Sequence, residues 1–571
     1  MSAHDLRSLP TLILLMWLAV VALLRLVNLG FEDLQAWDEG LYAHRALMIL
    51  QHGNWIDQSA HSIGGLITGC YPPLAFWFTA VSYSVFGPTE WTTRLFSSVT
   101  CVGSVFLLFL IVRKFSTTRA AAFAGILLGT NLFFSFYSRQ GQLDVGYIFF
   151  ILLSVWGWLC WTRGRGRKVL VIVAVAIAGA FMTKILMGVY TLIILVALHF
   201  LVDRSTRPSY GHLFLTLLTG TLLAFPWHVW MYYVHGDVFF DAFFSLHIAQ
   251  RAMVPLEGHN SPLGVFFYFN QIIVRYPEFV LSGGLFIFWM SSKTARIEVA
   301  RPLLNIALIW TLSVLVIISA VSTKIVHYSL PLAVPAAMLG GVVLDSMVRG
   351  SCTRKQYAWA LFLYMGAVLW GAGWPLRMYV KTQLLGIPSA NADTSLSLVP
   401  FVIATVALIA GVCALVLSTE SKRVNSVLRA VPFVVLGLLT LQAAYEFVVK
   451  DETQYEIGTR RVADTLVAVN ATEVDYVGFD QNPALEVYLS DWGCRPTPVS
   501  IRNHLPLPIS RLHEASPVLQ IPSNGERNVV VLENRLVERG YYPERQEIIG
   551  DATLLFSNDF YSVYDMGTRR R

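Results

Sequence analysis

Charge is what this chain has least of. Only 14% of its 571 residues are Asp, Glu, Lys or Arg, against 55% hydrophobic, where a soluble globular chain carries about 25% charged and 45–50% apolar residues. That balance excludes an ordinary soluble enzyme and predicts an integral membrane protein. Cysteine is also scarce: the six residues are scattered, with none of the spacings that ligate a metal, which argues against a zinc framework. Only Cys70 and Cys494 fall on the far side of the membrane in this reading, and their separation argues against a bridge between them. No internal repeat or low-complexity segment is evident, so the repeat signature common among transporters is missing. The net charge of +6 resides in many Lys and Arg residues between apolar spans and reports topology rather than nucleic-acid binding. Leu9 to Leu29 has no small-residue cleavage site and reads as a retained helix, not a signal peptide.

Apolar runs long enough to cross about 30 Å of hydrocarbon number about 13. They are Leu9–Leu29, Arg94–Val112, Ala120–Phe136, Val145–Trp161, Val169–Met182, Val189–Leu201, Leu213–Met231, Phe279–Met290, Leu303–Val321, Ser329–Leu344, Trp359–Trp374, Leu396–Leu417 and Val431–Val448. The basic loops, above all Arg163 to Lys168, share one side. The positive-inside rule makes that side cytoplasmic, with the N-terminus there and the C-terminus outside. Pro72–Phe86 is too short for a crossing, and with Leu41–Leu50 it is expected to lie at the outer interface. From about Tyr445 the composition turns soluble. Strands are expected at Val474–Phe479 and Asn528–Leu532, a helix at Asn482–Leu489, and a hairpin from Thr553–Phe556 with Tyr561–Tyr564. The expected architecture is therefore a polytopic α-helical membrane domain, residues 1–448, whose outer-face loop and interfacial helices occupy 30–92. An extracytoplasmic α/β domain follows, residues 449–571.

The chemistry is expected at the outer face. Parity brings Asp38, Glu39, Arg139, Asp144, Lys184, Arg251 and Lys324 to one level. Charges at that depth are costly without partners or a task. Carboxylates there can deprotonate a hydroxyl or hold a divalent cation, for which Asp38 and Asp144 are the candidates. Neighbouring Lys and Arg suit a phosphate leaving group. Outside the cytoplasm there is no nucleotide-sugar pool, so the pattern points to transfer from a phosphorylated lipid.

Trp37-Asp38-Glu39-Gly40-Leu41-Tyr42-Ala43, Tyr71-Pro72-Pro73-Leu74-Ala75-Phe76-Trp77 with Phe86-Gly87 and Arg94-Leu95, Asp144, Thr183-Lys184 and Lys324-Ile325-Val326-His327-Tyr328-Ser329-Leu330-Pro331-Leu332 together resemble the GT-C superfamily. The likeness is to the branch of dolichyl-phosphate-mannose protein mannosyltransferases and bacterial aminoarabinose transferases. His247 and Arg251, before Pro262, resemble its phosphate-contacting loop. The resemblance implies a GT-C fold in a bacterial inner membrane and an inverting transfer from a polyprenyl-phosphate sugar to a lipid, glycan or protein acceptor. It implies Asp38 as the group that activates the acceptor and Asp144 as its aid in holding a metal or orienting the site. Lys184, Arg251, Lys324 and Tyr328 would grip the donor phosphate, with Tyr42 lining the pocket and His247 beside the phosphate. Glu39 has two readings, a second catalytic acid or a group that sets the local field or pairs with a base. His327 has two as well, a phosphate ligand or a hydrogen-bonded residue at a helix end. Two departures from the aminoarabinose branch, Tyr71 where a lysine precedes the double proline and Ile185 where glycine follows Thr-Lys, argue against a lipid A transferase. The competing reading is a lipid or lipid-linked-sugar flippase, which predicts repeats and midplane charges.

Overall fold

The computed structural model describes residues 9–35, 38–162, 166, 168–185, 187–201, 207, 209–255, 261–276, 278–280, 282, 301–350, 362–364, 422–444, 458–477, 482–490, 500–504, 529–534, 552–558 and 560–566. Among these, six helices are long and apolar enough to cross a membrane, or seven if a bent pair counts as one span.

The bundle begins with α1 (Leu9–Leu23) and continues through α2 (Asp38–His52), α3 (Leu74–Phe86), α4 (Glu90–Arg113), α5 (Thr118–Thr130), α6 (Leu132–Ser138), α7 (Asp144–Trp161), α8 (Val169–Thr183), α9 (Met187–Leu201) and α10 (Tyr210–His235). It is completed by α11 (Arg301–Ala320), α12 (Ala333–Arg349) and α13 (Lys422–Ala444). Local chemistry sets several starts. Thr89 opens α4 with a capping box, its hydroxyl accepting from Thr92 N–H at 3.2 Å while Thr92 Oγ1 accepts from Thr89 N–H at 2.8 Å. Asn131 caps α6 through Phe134 N–H, and α5 and α6 meet at a 64° bend where one expected straight span stood. A capping side chain at that point offers the backbone an alternative to continuing the helix, which hydropathy does not register.

Small residues let the helices approach closely. A Cβ on Gly341 of α12 would lie 2.5 Å from the Ala124 backbone nitrogen of α5, and one on Gly125 would meet Leu18 of α1 at 2.5 Å. The apolar centre of the bundle includes Leu18, Phe123, Ile126, Trp158 and Trp310. Helix α3 has 13 residues, a length of about 20 Å at 1.5 Å per residue and too short to span. The expected spans Phe279–Met290, Trp359–Trp374 and Leu396–Leu417 lie wholly or mostly outside the described residues.

The C-terminal region adds α14 (Thr459–Ala468), α15 (Pro483–Leu489) and strands β1 (Glu473–Val477), β2 (Ser500–His504), β3 (Val529–Glu533), β4 (Thr553–Ser557) and β5 (Tyr561–Asp565). The five strands form one sheet in the order β2-β1-β3-β5-β4. β2, β1 and β3 are parallel, with Val474 paired to Ile501 and to Val529, and β5 runs antiparallel to β3 and β4. The unbroken apolar run Val529–Leu532 suits this central position, since such a strand is buried on both faces. The expected boundary at 448/449 falls outside the described residues.

One element departs from expectation. Helix α2 does not lie as an open interfacial helix: Gly40–Ala43 and Arg45–Ile49 are buried. It is sandwiched between α3 and α15, and its Ala43, with Leu34 just before it, belongs to the same apolar cluster as Val462, Leu485, Val529 and Val563 of the C-terminal sheet region. Its modest hydropathy fits a helix covered by protein rather than by lipid, a distinction that local composition cannot make.

Candidate active site

Asp38 and Glu39 are the first two residues of α2, where exposed backbone N–H groups favour negative charge. Their surroundings differ sharply. Glu39 is fully buried and its carboxylate accepts from Arg94 Nε at 2.7 Å, Arg94 Nη2 at 3.0 Å, Gln35 N–H at 2.8 Å and Gly141 N–H at 2.6 Å. The rest of the Arg94 fork donates to the carbonyls of Leu29, Glu32 and Asp33, each at 2.9 Å. All five guanidinium N–H groups are thus satisfied, and residues 29–33, between α1 and α2, are wrapped around that one side chain. Asp38 is only half-buried. Its carboxylate acts on the hydroxyls of Tyr42, one turn further along α2, and of Tyr71. Burial, then the Asp38 carboxylate, holds the Tyr42 hydroxyl well above its ordinary range, so Tyr42 remains a neutral hydrogen-bond donor at physiological pH.

A second acid meets the first through Tyr42, which feels both Asp38 and Asp144. Asp144 opens α7 and is 3% exposed in its side chain. Both of its oxygens accept from Lys184 Nζ, at 2.8 and 3.0 Å. Lys184 follows α8 directly, and its ammonium lies 5.9 Å from the Tyr147 ring centre and 6.0 Å from that of Tyr328. Tyr328 in turn accepts from Arg251 Nη1 at 3.3 Å. Arg251 follows a π-helix, Asp241–Gln250, a conformation frequent at functional sites. The Arg251 and Ala252 carbonyls accept from Thr323 and Ser322 N–H at 3.1 and 2.9 Å. His247 sits on the same π-helix, its Nε2 2.8 Å from the Ile67 carbonyl and its ring edge-on to Tyr71 at 5.0 Å. Tyr71 closes the circuit, 6.4 Å from the Tyr42 ring and within the fields of Asp38, Arg251 and Tyr328. His327 stacks edge-on to Tyr328 at 5.3 Å and lies 5.5 Å from Tyr137.

The fold therefore assembles Asp38, Tyr42, Asp144, Lys184, His247, Arg251 and Tyr328 from separate segments. It does not bring the Lys324 ammonium to them. Nζ of Lys324 donates to the carbonyls of Ile318, Ser319 and Val321 at the end of α11 and faces the Tyr268 ring at 5.5 Å, a helix C-terminal cap. Arg139 is likewise spent on the carbonyls of Arg25, Val27 and Asn28. Of the two readings of Glu39 the structure shows the pairing with a base, but sequence reasoning did not name Arg94 as the partner, nor Arg45, which is buried in α2 and donates to Gln58 Oε1 and to the carbonyls of Thr68, Gly69 and Tyr71. A signal was available: a lone arginine beside an apolar run, or inside a helix of Ala, Leu and Ile, needs acceptors from elsewhere in the chain.

Residues 71–230 match the family described as dolichyl-phosphate-mannose-protein mannosyltransferase. An uncharacterized protein of Aquifex aeolicus is 25% identical over 372 residues, 64% of this chain and 70% of its own. An undecaprenyl phosphate-alpha-4-amino-4-deoxy-L-arabinose arabinosyl transferase of Shewanella sediminis is 25% identical over 323 residues, 56% of this chain and 57% of its own. The chain thus spans little more than half the length of that relative. The apo crystal structure of ArnT from Cupriavidus metallidurans aligns with a TM-score of 0.67 at 18% identity, over 98% of this chain and 99% of that one. The chain has the GT-C fold of that structure.

The acidic pair, expected in the loop ahead of a helix beginning at Leu41, stands instead at the head of α2. The family match takes in Tyr71, Arg94, Asp144 and Lys184, whereas Asp38, Arg251 and Tyr328 lie outside it and join the site only through the fold.

Proposed function

We propose that the chain is an inverting glycosyltransferase that moves a sugar from a polyprenyl-phosphate donor to a lipid, glycan or protein hydroxyl at the outer face of a bacterial inner membrane. In this reading the N-terminus is cytoplasmic and the C-terminal domain extracytoplasmic, which the distribution of basic loops supports. The observation that carries it is the convergence of the Asp38 carboxylate, the Asp144–Lys184 pair and the Arg251–Tyr328 pair around Tyr42 and Tyr71. The match to a mannosyltransferase family and the likeness to arabinosyl transferases support the same chemistry.

Asp38 accepts the proton of the acceptor hydroxyl as its oxygen bonds to the anomeric carbon. The bond from that carbon to the phosphate oxygen breaks on the opposite face, and polyprenyl phosphate leaves with the electron pair. Attack opposite the leaving group inverts the anomeric centre. Arg251 and Lys184 stabilise the charge that grows on the phosphate, in surroundings dry enough for charge-assisted bonds to count. Asp144 holds Lys184 toward that position. Tyr42 and Tyr328 offer neutral hydroxyls, and Glu39 serves to position its neighbour.

A divalent cation shared by Asp38 and Asp144 does not fit this arrangement. Both Asp144 oxygens already face the Lys184 ammonium, and no group of three or more His, Cys, Asp or Glu side chains among the described residues could hold a metal ion. No step is therefore assigned to one.

Replacing Asp38 by Asn tests the proposal. General-base catalysis contributes about 10²–10⁴-fold, so a folded variant assayed for sugar transfer in membranes loses activity on that scale. Near-normal turnover would remove the base and with it this mechanism.

A further inference from the structure

The loop that delivers Asp38 is held from two sides. Arg94 grips it from the membrane bundle, as described above. The opposing grip comes from the C-terminal region, more than four hundred residues away in sequence: Leu34 N–H donates to the Tyr488 hydroxyl at 2.8 Å, across a sequence separation of 454. That hydroxyl in turn donates to Glu90 Oε1 at 2.8 Å. The Arg460 main-chain N–H donates to Asp33 Oδ2 at 3.1 Å, its guanidinium pairs with Glu90, and it lies over the Tyr488 ring at 5.4 Å. Glu90, the first residue of α4, is 4% exposed. Helix α2 itself touches α15 backbone to backbone: a Cβ on Gly40 would lie 2.4 Å from the Ala484 nitrogen and 2.8 Å from its Cα.

These contacts have a mechanical consequence. Asp38 opens a 15-residue helix, so its position follows from where that helix lies and how the preceding residues enter it. Tyr488 and Arg460 fix residues 33 and 34, while Ala484 fixes the spacing of α2 at Gly40. The contacts of Tyr488 and Arg460 given above are with Leu34, Asp33 and Glu90, none of which is a proposed phosphate ligand.

We propose that Tyr488 and Arg460 are positioning residues for sugar transfer, and that the C-terminal domain is a working part of the active site because it sets the placement of Asp38. This rests on the reading of Asp38 as the base. Small misplacements of a reacting group are costly, about 10²-fold for roughly 1 Å, so a domain that touches no substrate can still govern turnover.

The test uses the full chain in detergent, with undecaprenyl-phosphate-linked mannose and aminoarabinose offered as donors. Tyr488→Phe keeps the packed ring and removes both hydrogen bonds. The expected result is a fall in kcat of about 10–10²-fold with donor KM unchanged. Hydrogen–deuterium exchange should rise in the peptide covering residues 31–40, with the thermal midpoint close to that of the wild type. Gly40→Ala, which wedges α2 away from α15, should reproduce the kcat loss. Wild-type kcat and wild-type exchange in Tyr488→Phe would overturn the proposal. So would a loss of activity matched by an equal loss of folded protein, since that is what a merely structural contact gives. If the wild type transfers neither sugar while exchange at 31–40 still rises in Tyr488→Phe, the positioning of the loop stands and the failure belongs to the proposed activity.

Discussion

The sharpest test of the division between Asp38 and Glu39 is Glu39→Gln, a change of one atom in a fully buried side chain. The carboxylate accepts four hydrogen bonds, two from Arg94 and one each from the Gln35 and Gly141 N–H groups. A glutamine offers one carbonyl oxygen and turns an NH2 toward a site furnished only with donors. Arg94 is 3% exposed in its side chain and keeps its three carbonyl acceptors, but its charge has lost its partner. Removing one member of a buried ion pair costs about 3–5 kcal/mol, a large share of the roughly 5–15 kcal/mol that holds a domain folded. Glu39→Gln should therefore lower the thermal unfolding midpoint in detergent clearly, and whatever folds should transfer sugar poorly because residues 29–35 are loosened. Adding Arg94→Gln should recover part of the stability, since the orphaned charge goes with it. The recovery stays incomplete because three loop carbonyls lose their donor. A Glu39→Gln protein as stable as the wild type but inactive would refute the reasoning and make Glu39 a participant in the chemistry. One as stable and as active would show that the clamp is dispensable.

Lys324→Met should cost about 1–3 kcal/mol, because the three carbonyls at the end of α11 lose their donor, while donor KM stays as it was. A large rise in donor KM with an intact fold would instead place the ammonium on the phosphate. A pH dependence follows from His44 in α2, whose imidazole burial, aided by His61, pushes down to about 4. The unfolded chain takes up a proton near 6.5 that the native state refuses until about 4, so the unfolded state binds more protons between those values. Stability is then lost as pH falls from 6.5 toward 4, by up to roughly 2–3 kcal/mol. Thermal midpoints of wild type and His44→Gln at pH 7 and pH 5 check this: the wild type should lose more on acidification, and equal losses would refute it.

The transmembrane plan was legible because it rests on runs of apolar residues, and α4, α7, α10, α11 and α12 arise where such runs stand. In the C-terminal sheet, β1, β3, α15 and the β4–β5 hairpin were legible too, each being a short apolar run between turn residues. What hydropathy could not register was the break at Asn131, which is a capping event, and the cover over α2, which comes from residues at the far end of the chain. The site divides in the same way. Asp38, Asp144, Lys184 and Arg251 are conspicuous as charges that an apolar chain must account for. Lys324 is equally conspicuous yet serves the end of the helix before it, because a flexible amine four residues past Ala320 reaches the free carbonyls before anything else.

Adjacent carboxylates doing different work follow from helix geometry. Successive residues on an α-helix point about 100° apart, so Asp38 and Glu39 cannot share an environment once α2 is packed on several sides. The rotation that sends Glu39 into the Arg94 fork leaves Asp38 half-buried beside Tyr42 and Tyr71. A rigidly neutralised acid is a poor proton acceptor, since its lone pairs are already occupied; a partly solvated one with tyrosine hydroxyls for neighbours retains that capacity. With Asp38 as the proposed base, the pair divides into an anchor and a reagent, and the anchor is useful because it is adjacent. Every hydrogen bond that fixes Glu39 also fixes the backbone to which Asp38 is attached, and Tyr488 and Arg460 complete that fixation from the opposite side. Exchanging the two roles by swapping the residues would not move the site, because Glu39 and Asp38 are told apart by the direction in which α2 faces and not by their shared chemistry.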